Sequence, residues 1–508
     1  MDQRSRWALP LLLTAASVSA AGPVYADVTV SGDVTPSNPS DPWDLGPNPL
    51  LIGSTSQFGA PTSGEVVISK GGTLISSGAI VAANDEATGT VHVTGYGSRW
   101  INSGSLWVAL LNETMGQLYI RRGAEVITDS LQIGIAGYSA NGYVLVEGYD
   151  SALTSRTDTY IGYAESDSYL ELRQGGSFYS HNVYIARCQL CSGHAIAGGS
   201  ATTWVNTGEF VVGANGHGTL LVEQDAKLFT VNARIHTTDD MVGYHTSRAL
   251  VRGWGATWTN EGLLRVGDFG YGELRIGAYG SLVTEDTEVR SLSGNGVLEV
   301  NGPYASWRNS GDVMLVTAEP TAPALLIRRG LASIGGALRT GPLHPTFDPP
   351  HPGPVALVTG GALVAGLIDL PEGDFHLAGG RLAVGSFVGD LVNVQSGELS
   401  VGEEHPSTTV SGGYIQGPGA ALAITVAGAS GAPLLQVDAD VSLDGVLEVL
   451  PADETASFQA GDTVALLGWN GELTGVFADV YIALPLPPGL AWDTSALYTT
   501  GEITVVPS

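Results

Sequence analysis

Asp239 and Asp240 lie between His236 and His245, and Arg234, Arg248 and Arg252 are close by in sequence. Adjacent carboxylates beside imidazoles and guanidiniums could do acid–base chemistry on a glycan, as in lyases and hydrolases that gather acids with Lys or Arg on one face. The same stretch, TTDDMVGYH, also reads as an ordinary polar loop, and that reading is preferred. Cys188 and Cys191 form RCQLCSGH, with His194 three residues on. A zinc site needs two such pairs or further histidines at fitting spacing, and the chain has only these two cysteines. In an oxidising compartment the pair is expected to close a local disulfide that pins a loop. A redox role would want the pair at a helix start, and none is visible. The motifs GxxxxGK[ST], GxSxG and HExxH do not occur, nor do calcium loops of the D-x-D-x-D-G or nonapeptide kind. No cofactor and no metal are expected.

The elements that would position such residues are strands. Segments of four to six residues alternate apolar and polar, as in Leu118 and Ile120 against Tyr119 and Arg121. Gly, Asn, Asp and Ser punctuate them every few residues. The segments also recur. GSRWINSGSLWV from Gly97, ATTWVNTGEFVVG from Ala201, GATWTNEGLLRVG from Gly255 and ASWRNSGDVMLV from Ala305 align on Trp100, Trp204, Trp258 and Trp307. A worn copy, SALTSRTDTYIG, places Leu153 at that position, so the steps are 53, 51, 54 and 49 residues. A period near 52 signals a solenoid, with two coils of about 25 residues per unit and about eleven coils over residues 64–335. Asn102, Asn206, Asn260 and Asn309 follow each tryptophan by two, as a ladder of buried amides would require. The repeated tryptophans are expected in the rod interior or stacked along one face. A row of surface tryptophans holding sugar rings is the alternative.

Composition narrows the class. Glycine, at 70 of 508 residues, is about twice ordinary usage but follows no collagen period. Lys+Arg number 21 against 50 Asp+Glu, a net charge of -29, which repels phosphate backbones and excludes nucleic-acid binding. Residues 1–26 join a basic start (Arg4, Arg6) to a short apolar run and small residues, and read as a signal peptide cut after Ala26. That cut removes two arginines and Asp2, so the mature charge is -29 - 2 + 1 = -30. No later stretch reaches the ~18 apolar residues of a membrane helix.

The pattern G-S-x-W-x-N-S-G-x-L-x-V-G followed by G-x-L-x-I-x-x-G-A-x-V, matched by Gly97–Val108 with Gly116–Val126 and again around Trp204, Trp258 and Trp307, resembles the repeats of autotransporter passenger domains and PEP-CTERM-associated exported proteins. GLAWDTSALYTTGEITV, from Gly489, is similar to the terminal segment of the same proteins. The resemblance covers residues 60–335 and 410–508. It implies surface display rather than a reaction. The chain departs from the family in carrying neither a barrel nor a sorting tail, so a separate translocator is an expected partner.

The expected fold is therefore all-β, a right-handed parallel β-helix (β-solenoid) with a C-terminal β-rich capping module. Residues 27–60 are an extended lead-in or cap, 61–335 the repeat solenoid, 336–354 a Pro-rich linker or loop, 355–412 further coils and 413–508 the cap. The expected function is a non-enzymatic rod for surface display, adhesion or extracellular matrix structure in a Gram-negative bacterium, secreted or associated with the outer membrane. Surface glycans or other surface proteins are the expected partners. A secreted glycan-active enzyme on the same rod is the alternative, with Asp239, Asp240 and His236 as its candidate residues.

Overall fold

Alternation with period two sends every second side chain inward, and successive coils stack those side chains in columns. The computed structural model describes residues 26–54, 62–136, 139–163, 165–236, 246–268, 270–291, 296–317, 323–341, 355–370, 374–453 and 456–508. Within these residues the regular structure is all strand, wound as a parallel β-solenoid. Residues 1–25, which hold nearly all of the expected signal peptide, lie outside the described residues.

Each coil has three faces. Thr88–Thr94 lies on the first face. After a turn, Arg99–Val108 supplies the second face with its first half and the third with its last. Met115–Arg121 then returns to the first face and pairs in parallel with Thr88–Thr94. Between residues 63 and 335 one inward column of the first face has one residue per coil: Val66, Val91, Leu118, Val144, Leu170, Ala195, Leu220, Ala249, Leu274, Leu298 and Leu325. These are the eleven coils the period predicts. All eleven side chains are buried, so each coil covers the apolar face of the next.

The second face explains why the sequence repeats every two coils rather than every one. Its inward column reads Trp43, Leu74, Trp100, Val126, Leu153, Phe178, Trp204, Leu228, Trp258, Leu282, Trp307, Ala332. Large and smaller side chains alternate, so each indole spreads over the space of two levels (interiors are packed to crystal density, and two adjacent indoles would overfill it). Leu153 breaks the rule where Phe178, one coil on, supplies the missing volume and packs on Trp204 at 5.2 Å.

Buried polar groups finish this face. The indole N–H of Trp100, Trp204, Trp258 and Trp307 donates to Ser76, Ser180, Thr230 and Thr284 at 2.9–3.0 Å. The Ser76, Thr230 and Thr284 hydroxyls donate onward to Asn102, Asn260 and Asn309 Oδ1 at 2.8 Å. Each of these amides then donates to a turn carbonyl, Gly104, Gly262 or Gly311, at 2.7–2.8 Å. The expected amide ladder is thus a relay in which asparagine and hydroxyl coils alternate. Every side chain in the relay is buried and paired, which is what makes polar atoms tolerable in the core.

Glycine forms a third kind of column, at the second residue of the first-face strands: Gly64, Gly89, Gly116 and Gly142, then Gly193 and Gly218, then Gly272 and Gly296. There the strand passes directly under the preceding corner. A Cβ on Gly272 would lie 2.2 Å from the Ile235 carbonyl oxygen.

At the amino end Asp27–Gly32 runs antiparallel to Ser63–Ser69 and covers the first coil. Pro323–Thr340 pairs with Ala362–Asp369, so stacking continues across residue 336, where the linker was expected to start. The Pro-rich residues 342–354 lie outside the described residues. Parallel pairing also runs past residue 412, where the cap was expected to begin, as far as Asp479–Ile482. The reason is that ALAITVAG and VSLDGVLEVL keep the inward alternation, burying Leu422, Ile424, Leu447 and Val449. The antiparallel module is smaller, built of Thr463–Ala465, Leu490–Asp493 and Glu502–Pro507.

Candidate functional site

The acid–histidine stretch was the strongest candidate for chemistry in the sequence. His236 ends the third-face strand Asn232–Ile235 and is 5% exposed. Arg234 points outward on the third face, 3.4 Å from Glu209. Arg248 and Arg252 lie on the first face, paired with Glu273 at 3.0 Å and Glu223 at 3.1 Å. The three arginines therefore occupy two faces and already have carboxylate partners. Asp239, Asp240 and His245 lie outside the described residues.

Burial holds the His236 imidazole below its ordinary value, outweighing the nearby Asp268 carboxylate that raises it; Arg234 and Arg265 lower it further. A histidine kept neutral in the fold adds stability that is fully present above its unfolded value of about 6.5 and is lost as pH falls through the lower folded value. Urea midpoints taken from about pH 8 down to about pH 5 are expected to fall, and His236→Phe is expected to flatten that slope. An unchanged slope would place the acid sensitivity elsewhere.

Cys188 and Cys191 are free thiols in the structure, so the disulfide expected of them is not formed. The short turn folds the Cys191 sulfur back onto the Cys188 backbone instead: it accepts from the Cys188 N–H at 2.8 Å and donates to the Cys188 carbonyl at 2.9 Å. The hydrogen bond with Cys191 pulls the Cys188 thiol down to about 7 against its burial, while the same bond and burial push Cys191 up. Iodoacetamide near neutral pH is expected to modify Cys188 about tenfold faster than Cys191. Cys191→Ala should slow Cys188, and peptide mapping over time reads both. His194 stands apart from the thiols, 2.9 Å from Asp167 and stacked on Tyr169 at 4.6 Å. Among the described residues no three His, Cys, Asp or Glu side chains gather as metal ligands would.

The repeat tryptophans are all interior, so the sugar-binding alternative fails for Trp100, Trp204, Trp258 and Trp307. Exposed aromatic residues sit elsewhere. The turn between the first and second faces carries Tyr96, Tyr149, Trp254, Tyr279 and Tyr304. Trp254 and Tyr304 are each 78% exposed, and Tyr279 is 40% exposed. Trp254 and Tyr279 have ring centroids 5.8 Å apart, and Tyr279 stacks on Tyr304 at 5.2 Å. A cleft of about 480 Å³ opens beside them, lined by Glu223, Leu250, Arg252, Arg275, Tyr279 and Asn301. On the third face Arg187 lies over Tyr160 at 4.7 Å and Tyr184 at 5.3 Å. Asn182, Asn232, Asp286 and Asp312 cap the next coil there, accepting backbone N–H groups at 2.8–3.1 Å.

The aromatic corner was legible in the sequence but passed over: GYGS, GYDS, GWGA, AYGS and PYAS each set an aromatic residue three or four positions before a second-face core residue. The clearest copy is GWG at Gly253–Gly255, where two positive-φ glycines flank the exposed Trp254. Comparison of the chain with protein-family models finds no match, and comparison with curated proteins finds none either.

Proposed function

We propose that the chain is an exported, non-enzymatic rod that works by display, holding side chains at fixed spacing on a surface or in an extracellular matrix. One observation carries the reading: a single parallel stack runs from Trp43 to Ile482, and its corners present residues coil after coil. Such a scaffold adds weak contacts through multivalency without reacting. The polar side chains supporting it are spent on the stack itself, in the indole relay and the Asn/Asp caps. The recurrence that resembles passenger repeats fits the same role.

The experiment is labelling of intact cells. An antibody to the full chain should stain unpermeabilised cells as strongly as lysed ones, and deletion of the chain should reduce cell attachment or matrix formation. Staining only after lysis would overturn the reading. So would release of reducing ends from a polysaccharide by the purified protein, which would mark a glycan-active enzyme instead.

A further inference from the structure

Among the described residues, the exposed aromatic corner is a surface that neither the stack nor its caps account for. Rings as open as Trp254 and Tyr304 bury little area, so they add little to the fold. Tyr279 and Tyr304 also hold positive φ, at 60° and 57°, a region that bulky residues rarely occupy. Trp254, Tyr279 and Tyr304 belong to consecutive coils, with the cleft along their first-face side.

We propose that this corner binds a neutral glycan, with the open part of Trp254 as its stacking platform and the Arg252–Arg275 cleft holding its hydroxyls. The inference deepens the display reading by naming what the rod holds. Three observations define the ligand. An aromatic π face attracts the C–H face of a sugar ring whose hydroxyls are equatorial, and Trp254, at the end of the aromatic stack, is 78% exposed. The cleft is polar and most of its guanidinium charge is offset: Arg252 pairs with Glu223 at 3.1 Å, and Arg275 and Arg328 share Glu299 at 2.7 and 3.0 Å. A guanidinium has five N–H donors, and these pairings leave some for hydroxyls, as Asn301 and Glu223 leave acceptors. A polyanion is disfavoured by the same carboxylates and by the net charge of -29. An extended peptide would want an unpaired strand edge, and the neighbouring coils already pair both edges here.

The test is native electrophoresis of the full chain through gels containing hydroxyethyl cellulose, xylan or galactomannan, with alginate and heparin as charged arms. Wild type should be retarded by at least one neutral polymer, with little change on adding salt. Trp254→Ala should weaken that retention about tenfold, as expected of a central aromatic anchor, and Tyr304→Ala should weaken it less. Tyr481→Ala, at an exposed tyrosine on a distant coil, should leave it unchanged. Thermal melts of each variant should match wild type, since these side chains are outside the core. Four results would overturn the proposal: no neutral polymer retards the chain, only alginate or heparin does, Trp254→Ala binds as well as wild type, or the corner proves to mediate self-association that Trp254→Ala abolishes. Trp254→Ala should not alter staining of intact cells. A rod that is displayed but blind to glycans therefore sinks this inference alone.

Discussion

Trp258→Ala is expected to lower the unfolding free energy by about 3–5 kcal/mol, the range for deleting a fully buried aromatic side chain. Three consequences add in this fold. The indole fills two levels of the second-face column, between Leu228 and Leu282, so the cavity opens onto both neighbouring coils. Thr230 loses the indole N–H that donates to it at 2.9 Å. Stability in a solenoid is also shared between nearest neighbours, so the weakened interface loosens coils on either side before the rest. The urea midpoint should drop, and hydrogen exchange should quicken first around residues 227–230 and 281–284. A loss below about 1 kcal/mol would mean that the neighbours collapse into the space and the indole is not the filler argued here. Trp258→Leu tests the alternation itself. Leu153 shows that leucine can occupy this column, but there Phe178 follows one coil later. Next to Leu282 no such compensation exists, so Trp258→Leu should still cost about 2 kcal/mol, and adding Leu282→Phe should recover part of it.

The stack was legible because what builds it must repeat. Trp100, Trp204, Trp258 and Trp307 recur as each indole needs the volume of two levels, and a hydroxyl recurs one coil earlier, at Ser76, Ser180, Thr230 and Thr284, as each indole N–H needs an acceptor. What the sequence hid was set by three-dimensional placement. Arg234 and Arg248 are 14 residues apart, yet they face different sides of the rod, so proximity in the chain suggested a cluster that the coil geometry disperses. Trp254 is four residues before Trp258, yet one is open to solvent and the other is core, because a turn flanked by Gly253 and Gly255 lies between the two faces. The Asn182, Asn232, Asp286 and Asp312 caps were missed although their steps of 50, 54 and 26 residues follow the coil period, since the residue type changes along the column. The extent of the capping module was overestimated because longer strands after residue 413 looked like a new sheet, while their inward residues continue the old columns.

Gly272→Ala is expected to cost about 3 kcal/mol, at the upper end for an overpacked site, although alanine is compatible with the backbone angles there. Its Cβ would lie 2.2 Å from the Ile235 carbonyl oxygen and 2.5 Å from the Gly267 nitrogen. Both are backbone atoms, one from the corner of the coil before and one from the corner leading into Gly272, and neither can swing aside as a flexible side chain would. Moving them means separating two coils and stretching the Gly267 N–H to Ile235 carbonyl hydrogen bond of 2.7 Å that closes that corner. Gly71→Ala is the matched comparison, because a Cβ there meets nothing within 4 Å while φ is +84°. The same added methyl group then carries only the left-handed backbone penalty, about 1 kcal/mol. If the two variants melt alike, conformational preference and not close approach explains the glycine content of this chain. Ser247 sharpens the point. It occupies the position one coil before Gly272, and the corner above it is Gly213, where an added Cβ would lie within bonding distance of the Ser247 hydroxyl. A side chain is admitted at one level only because the level above gives up its own. Gly272→Ser should therefore be as damaging as Gly272→Ala, since the corresponding corner of the coil before it is His236, which keeps its side chain.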